Sequence, residues 1–267
     1  MAASIDTYLY DLSYKYYISH SSTEGQKIET SVNGTNGIKS KLSNHFGSNL
    51  LSVSTFGSYE RDTILPRTYD NLSDVDILVK FNHDALNHSA ETYRTWLLKF
   101  ADANYTRSPS YKSFPTVVVE LQHIAFDLVP AIDMGSWVKV LHIPNSNNQW
   151  QPTNPIEFNK TVTDANVKYG YIVKPIIRLM KAWNAMASYP YSTYGLEKQV
   201  ASFNFSGDNY QKGFFYATSV LSTTGLSASA SGKVETLRNN VSWVKHYLDK
   251  DDADKAKEWL HRILPYA

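Results

Sequence analysis

The sequence contains no cysteine, which excludes disulfide scaffolds, zinc sites with thiolate ligands and cysteine nucleophiles together. It also lacks an excess of either charge, since 26 Lys and Arg residues balance 25 Asp and Glu residues and leave a formal net charge of +1. A broad electrostatic surface for duplex nucleic acid or for an anionic membrane is therefore not expected, and any phosphate binding must be local. The absence of cysteine is compatible with a reducing cytosol, where we expect this protein to act.

Long apolar runs are also missing. The most apolar stretch, residues 117–132, is interrupted by Glu120, Gln122 and Asp127 well before the roughly 20 apolar residues that a membrane helix needs. The first residues show no basic segment followed by an apolar one, so we expect neither a signal peptide nor a contact with a membrane.

The periodicity of apolar residues predicts an α/β protein with two lobes. Residues 1–48 read as helical, and β-type runs at 50–56, 74–81 and 116–132 surround a predicted helix at 90–103. A stretch rich in Pro, Asn and Gln at 142–155 reads as a connecting loop, and helical spacing dominates after it. We therefore predict a core lobe over residues 1–155 and a helical lobe over residues 156–267, with a Ser- and Ala-rich surface loop at 217–232.

One ordered set of residues carries the strongest chemical signal. Gly57-Ser58 follows a predicted strand, and fifteen residues separate it from Asp74 and Asp76 at the start of an apolar strand. Asp127 lies in a third β run. Residues i and i+2 of a strand share one face, so Asp74 and Asp76 project together. Carboxylates grouped in this way suit a pair of Mg²⁺ or Mn²⁺ ions, and a glycine allows backbone N–H groups to approach a phosphate closely.

The third carboxylate has two alternatives in the sequence, because Glu120 and Asp133 lie near Asp127. Asp127 is preferred because its flanking residues alternate as expected for a partly buried strand. The charge pattern of the set also argues for function, since unpaired aspartates at the start of a buried strand are costly.

These segments resemble the polymerase-β superfamily of nucleotidyltransferases and, more closely, its cGAS/DncV-like branch, the CD-NTases or SMODS nucleotidyltransferases. The resemblance covers about residues 5–200. The segments that carry it are Gly57-Ser-Tyr-Glu-Arg-Asp-Thr63, Ser73-Asp-Val-Asp-Ile-Leu-Val79, Phe126-Asp-Leu-Val-Pro-Ala131, Trp150-x-x-Thr153-Asn-Pro155, Lys174 to Asn184 and Thr193-Tyr-Gly-Leu-Glu197. It implies a polymerase-β-like core with a mixed sheet, a C-terminal helical lobe and a nucleotide cleft between them.

The resemblance also implies roles for individual residues. Asp74, Asp76 and Asp127 would hold two Mg²⁺ or Mn²⁺ ions, with Asp127 helping to deprotonate the attacking hydroxyl. The nucleotide-binding residues that it implies are Gly57, Ser58, Arg61, Lys181, Ser192, Thr193 and Tyr194. Two positions depart from the family pattern: Asp62 replaces the usual glycine after Arg61, and Thr193 stands where serine is commoner.

A helical projection gives a separate indication for the second lobe. Lys174, Arg178 and Lys181 fall on one stripe of a predicted helix, opposite an apolar stripe. We therefore expect the basic stripe to be free to meet phosphate, with Lys181 as the phosphate contact and the other two cations undecided.

The function implied by the resemblance is the joining of nucleoside triphosphates into a cyclic di- or trinucleotide with release of pyrophosphate. In bacterial relatives such a product is a second messenger of CBASS anti-phage defence and acts on a separate effector protein. We expect a monomer, and the resemblance allows a regulatory protein or a phage-derived ligand as activator. No zinc-binding or DNA-sensing insert is visible in the sequence, so we expect no activation by duplex DNA. The sequence does not indicate the bases, the ring size or the 2′-5′ or 3′-5′ linkage.

Two other readings are compatible with the same residues. A related enzyme could transfer a nucleotide to tRNA or to a protein, although the chain shows neither a strongly basic face nor an RNA-binding appendage. A catalytically silent nucleotide sensor is the other, and the intact set of three aspartates argues against it.

Overall fold

The computed structural model describes residues 3–135 and 137–267, which form two compact units. The sheet unit comprises Ser19–Arg61 and Ser73–Asn159. The helical unit comprises the residues up to Ile18, Asp62–Leu72 and Lys160–Ala267. The last break lies close to the boundary predicted at 155/156, but the two units interleave along the chain, and a division into two contiguous lobes does not describe them.

The sheet unit contains a mixed sheet, as predicted. Its strand order is β1-β2-β5-β4-β3; β6 pairs with the second half of β5, and β7 pairs with β6. The pairing of β2 with β5 is parallel and the other pairings are antiparallel. The strands are β1 (Leu50–Phe56), β2 (Asp74–Phe81), β3 (Ser110–Ser113), β4 (Thr116–Glu120), β5 (Ala125–Met134), β6 (Val140–Pro144) and β7 (Trp150–Pro152).

Helices precede the sheet, connect its strands and make up most of the helical unit. The helices are α1 (Asp6–Lys15), α2 (Thr23–Asn33), α3 (Ile38–Phe46), α4 (Gly57–Glu60), α5 (His83–Leu86), α6 (Ala90–Asn104), α7 (Pro155–Lys168), α8 (Val173–Met186), α9 (Thr193–Ala201), α10 (Tyr210–Val220), α11 (Ala228–Asp249) and α12 (Ala253–Leu260), with a 3-10 turn at Gly47–Asn49. Within the described residues, no helix is both long and apolar enough to cross a membrane.

Alternation along β2 gives the sheet two different faces. Val75, Ile77 and Val79 are fully buried on the face that α6 covers, where Phe81 stacks on Tyr93 with ring centroids 4.4 Å apart. The alternate residues, beginning with the two aspartates, occupy the opposite face, where Asp74, Asp76 and Lys80 are partly buried and Leu78 is buried. The buried face therefore anchors the strand, and the other face is left for chemistry.

Helix α8 is the centre of the helical unit, and α1, α9 and α10 pack around it. Eleven of its fourteen residues are buried, so it lacks the solvent-facing side of an ordinary amphipathic helix. Pro175 lies in its first turn, where the missing N–H removes no intrahelical hydrogen bond.

Two loops predicted from composition are wrong in part. Residues 142–155 contain the end of β6 and all of β7, which form a hairpin whose turn is built from asparagines. The Asn145 side chain accepts from the N–H groups of residues 147 and 149, and Asn148 adopts a left-handed φ of 59°. The tract 217–232 likewise includes the end of α10 and the start of α11, where Ser227 caps the helix.

Candidate active site

The three predicted aspartates lie on two adjacent parallel strands of the sheet unit. Asp76 of β2 is directly opposite Asp127 of β5 in the register of the parallel pairing, and Asp74 lies two residues earlier on the same face of β2. The fold therefore places all three carboxylates on one face of the sheet. Asp133 lies farther along β5 and forms an ion pair with Lys80 at 3.1 Å.

Gly57 brings the backbone against one of these carboxylates. It follows β1 with φ +74°, a left-handed conformation that side chains rarely adopt, and begins the short helix α4. A Cβ placed on Gly57 would lie 1.7 Å from Oδ2 of Asp76, far inside any allowed contact. Only glycine fits here, and its absent side chain leaves room for Asp76 beside the turn that carries Ser58.

The surroundings of Asp127 favour its neutral form. Burial raises its pKa from 3.8 to about 6, and the charge of Glu120 adds to the rise. The Thr116 hydroxyl donates to Oδ2 of Asp127 at 3.1 Å and opposes the shift. Sequence reasoning missed Thr116, because its proximity depends on the antiparallel register of β4 with β5 and not on any motif.

An apolar cluster continues the aspartate face along the strands. Leu78 and Val129 come two residues after Asp76 and Asp127 on the same face, and Ala131 packs with them. Phe56 of β1 also packs against this cluster. The carboxylates therefore lie at the end of a dry surface, which accounts for the effect of burial on Asp127.

The donor set fits a hard divalent cation. Three carboxylates on one sheet face supply the oxygen ligands that Mg²⁺ and Mn²⁺ prefer, and the Gly57 cradle keeps a side chain away from Asp76. Among residues 3–135 and 137–267, no three Asp, Glu or His side chains are already drawn together at metal-ligand spacing. Asp74, Asp76 and Asp127 are the residues that would hold the ions.

Arg61 and Ser58 occupy the turn that follows β1. Arg61 is buried: its guanidinium lies 4.8 Å from the ring centroid of Phe158 and donates to Oδ1 of Asn159 at 3.1 Å. Ser58 is half-buried in α4. Arg61 is thus oriented by the start of α7, a set of partners that its sequence position does not predict.

The basic stripe of α8 is not free, and that expectation was wrong. Arg178 and Lys181 are only 4% and 3% exposed. Lys181 Nζ donates to the backbone oxygen of Thr63 at 2.9 Å and pairs with Oε1 of the fully buried Glu197 at 3.2 Å. This arrangement gives no support to the predicted phosphate contact of Lys181, because its charge is already matched inside the helical unit.

The residues predicted at the start of α9 are more accessible. Ser192 is the N-cap, and its hydroxyl accepts from the Gly195 N–H at 3.2 Å. Thr193 is half-buried and Tyr194 is 55% exposed, so an aromatic ring is presented at this helix start. The roles predicted for Ser192, Thr193 and Tyr194 in nucleotide binding remain predictions.

Asp62, which stands where the family usually has glycine, has a backbone conformation that glycine adopts easily. Asp62 adopts φ +59°, the left-handed conformation that glycine accepts without cost and that aspartate tolerates better than most residues. Asp62 therefore places a charged side chain at a position whose backbone conformation favours glycine.

The mixed sheet, with three aspartates on one face, is the architecture of the polymerase-β-like nucleotidyltransferases. Residues 4–166 match the model of the Second Messenger Oligonucleotide or Dinucleotide Synthetase domain, and this chain belongs to that family. The family match includes every element that carries the aspartates.

Comparisons with individual proteins agree with this assignment. A curated "Probable cyclic nucleotide synthase" of Bacillus cereus is 28% identical over 125 residues, which is 46% of this chain and 34% of that protein. The match therefore spans about a third of the length of that relative.

Two solved structures share the fold at low identity. The CdnE cyclic dinucleotide synthase of Elizabethkingia meningoseptica, solved with GTP and Apcpp, has a TM-score of 0.68 at 15% identity and covers 90% of this chain and 100% of its own. The CD-NTase CdnG of Bradyrhizobium diazoefficiens, solved with GTP, has a TM-score of 0.69 at 11% identity, covering 98% and 99%.

Proposed function

We propose that this protein joins nucleoside triphosphates into a cyclic di- or trinucleotide and releases one pyrophosphate for each bond formed. The observation that carries the proposal is the in-register placement of Asp76 beside Asp127, with Asp74 on the same face and Gly57 against Asp76. Family membership supports it, as do the nucleotides named for the related CdnE and CdnG structures.

The roles of the residues follow from their chemistry. Asp74, Asp76 and Asp127 would bind two Mg²⁺ or Mn²⁺ ions, which when bound neutralise phosphate charge and favour the hydroxyl nucleophile. Asp127 would accept the proton of the attacking ribose hydroxyl, a role that carboxylates fill in general base catalysis. Burial raises the pKa of Asp127 to about 6 when no metal is bound, and a bound cation would favour its ionised form. That hydroxyl oxygen forms a bond to the α-phosphorus, and the bond to pyrophosphate breaks.

The remaining predicted contacts belong to nucleotide binding. Gly57 and Ser58 provide a close backbone approach for the triphosphate, and Arg61 adds a positive charge to the same turn. Tyr194 offers an exposed ring for stacking on a base, next to the hydroxyls of Ser192 and Thr193. By analogy with bacterial relatives, we propose that the product signals in the cytoplasm to a separate effector protein in anti-phage defence.

Product analysis tests the proposal. The purified protein is incubated with the four labelled nucleoside triphosphates and Mg²⁺ or Mn²⁺, treated with phosphatase and separated by chromatography. We expect a phosphatase-resistant product that requires metal and that disappears in the Asp74→Asn/Asp76→Asn variant. Omitting one triphosphate at a time identifies the bases.

The matched control is Asp133→Asn, which removes a carboxylate from β5 outside the proposed site and is expected to retain product formation. Label that appears only on added tRNA or protein would contradict the proposal in favour of macromolecule modification. Nucleotide binding without any transfer would favour a silent sensor.

A further inference from the structure

The three cations of α8 all hold the same two residues of the helical unit. Lys174 Nζ lies 2.8 Å from Oδ2 of Asp62, and Arg178 Nη1 donates to the backbone oxygen of Asp62 at 2.9 Å. Lys181 Nζ donates to the backbone oxygen of Thr63, also at 2.9 Å. The stripe that sequence analysis assigned to phosphate therefore serves as an anchor for residues 62 and 63.

Of the two anchored residues, Asp62 and Thr63, Asp62 has the unusual backbone conformation. Its left-handed φ of 59° is one that glycine would adopt without a side-chain penalty. The Asp62 side chain interacts with Lys174 through Oδ2 and with the Tyr17 hydroxyl, which donates to Oδ1 at 3.1 Å. Burial raises the pKa of Tyr17 to about 12, and the Asp62 charge adds to the shift, so Tyr17 keeps its proton.

The Lys174–Asp62 ion pair is less buried than the Lys181–Glu197 ion pair of the same helix. The side chains of Lys174 and Asp62 are 15% and 33% exposed, whereas Lys181 and Glu197 are almost entirely buried. Removing the Asp62–Lys174 charges should therefore leave the fold intact, which makes this pair a practical target for substitution.

The Lys174–Asp62 ion pair lies next in the chain to the turn that carries Ser58 and Arg61. Asp62 directly follows Arg61, the last residue of the turn that begins at Gly57 and carries Ser58. Fixing the backbone at residue 62 restricts the end of that turn. A small displacement of groups that orient a reacting nucleotide is costly, about a hundredfold in rate for 1 Å.

We propose that Asp62 and Lys174 are positioning residues for nucleotidyl transfer: their ion pair fixes the backbone after Arg61 and thereby orients the turn that carries Ser58 and Arg61. This inference rests on the proposed function. It assigns Lys174 to an intramolecular partner and not to the nucleotide, and it makes the aspartate at position 62 a device that a glycine there could not supply.

Steady-state kinetics of three variants test the proposal. Lys174→Met, Asp62→Asn and the double variant should each lower kcat about tenfold, with the KM for nucleoside triphosphate changed by less than about threefold. The double variant should be no worse than either single variant, because both changes remove one interaction. Lys174→Arg preserves the pair and should retain kcat.

A direct contact between Lys174 and phosphate would give a different pattern. Lys174→Met would then raise KM, whereas Asp62→Asn would release the ammonium and lower KM. Opposite changes of KM in the two single variants would overturn the proposal. So would losses of kcat that add up in the double variant.

Amide hydrogen exchange of the free protein provides a readout that needs no activity. Exchange of residues 57–61 should be faster by about tenfold in both Lys174→Met and Asp62→Asn. Lys160→Met removes an exposed cation of α7 and should leave it unchanged. Unchanged exchange in the first two variants would overturn the proposal, while a wild-type protein that makes no product would count against the proposed function alone.

Discussion

At the scale of single residues, the close approach of Gly57 to Asp76 can be tested by adding a Cβ at position 57. Gly57→Ala should reduce synthase activity by about a hundredfold, because the new Cβ would overlap Oδ2 of Asp76 and displace a proposed metal ligand. It should also destabilise the fold by at least about 1 kcal/mol through its positive φ. Initial rates and denaturant unfolding measure the two effects separately.

Gly207→Ala is the matched control for this substitution. Gly207 has nearly the same φ, +75°, but an added Cβ would meet nothing within 4 Å. It should reproduce the loss of stability without the loss of activity. Equal activity losses in the two variants would show that backbone strain, and not the contact with Asp76, is responsible.

Asp127 predicts an unusual dependence of stability on pH. Its pKa is higher in the folded protein, about 6, than its ordinary value of 3.8, so the folded state binds the proton more tightly. The free energy of unfolding should therefore fall as pH rises from about 4 to about 6, by up to about 3 kcal/mol for a pKa raised from 3.8 to about 6. At neutral pH without metal, the ionised carboxylate is a cost to the fold.

The substitution that tests this dependence is Asp127→Asn. In EDTA it should raise the free energy of unfolding at pH 8 by about 1 to 3 kcal/mol and have little effect at pH 4. Asp133→Asn removes the partner of Lys80 and should lower stability at pH 8 by at most about 1 kcal/mol. An Asp127→Asn protein less stable than wild type at pH 8 would contradict the account.

The same titration should appear in the rate. If ionised Asp127 binds metal and accepts the hydroxyl proton, activity should rise with pH as Asp127 ionises and then level off. The midpoint should lie below the metal-free pKa of about 6, because a bound cation favours the ionised carboxylate. Thr116→Val removes the hydrogen bond that lowers this pKa and should move the rise to higher pH. An unchanged pH profile in Thr116→Val would remove Asp127 as the titrating group.

The residues of the sheet site were predictable from sequence because strand geometry fixes their relations. Two aspartates at i and i+2 must share a face, and an apolar strand must be buried on its other side. The environment of Asp127 was not predictable, since it depends on which residue of β4 lies opposite and how deeply the strand is covered.

At the scale of secondary structure elements, α8 and α9 are held together by a buried ion pair. Lys181→Met should destabilise the protein by about 3 to 5 kcal/mol, because it leaves the Glu197 carboxylate buried without its cation. Lys181→Met/Glu197→Gln should recover most of the loss, since both charges are gone and the Thr63 hydroxyl can still donate to the side-chain oxygen of residue 197. Denaturant unfolding of the four combinations gives the coupling.

An exposed pair on α7 serves as the control for this cycle. Lys160 and Asp164 are joined at i and i+4, but both side chains are more than half exposed. Lys160→Met should therefore cost less than about 1 kcal/mol. A loss of that same small size for Lys181→Met would mean that its charge is not buried against Glu197.

The misassigned stripe of α8 shows why periodicity alone was insufficient. Helical spacing grouped three cations correctly on one side, but it could not reveal that residues 62–63 of a distant segment would cover that side. Similarly, Asn- and Pro-rich composition at 142–155 indicates turns but does not exclude the short strands that flank them. Long-range contacts decided both cases.

At the scale of the whole molecule, membership of the synthetase family and the placement of three carboxylates on one sheet face support the same chemistry. The two units interleave along the chain, with α1 and residues 62–72 grouped with the C-terminal helices. Local sequence patterns could not predict this grouping, because it depends on the packing of α1 against α8 and α10.

The most direct test of nucleotidyl transfer is the ratio of pyrophosphate released to nucleotide incorporated. Cyclic joining predicts one pyrophosphate per nucleotide, a strict requirement for Mg²⁺ or Mn²⁺, and loss of both signals in Asp74→Asn/Asp76→Asn. A clearly lower ratio would indicate a linear product. Release of orthophosphate without pyrophosphate, or an equal yield from the aspartate variant, would contradict the central claim that these carboxylates direct attack at the α-phosphorus.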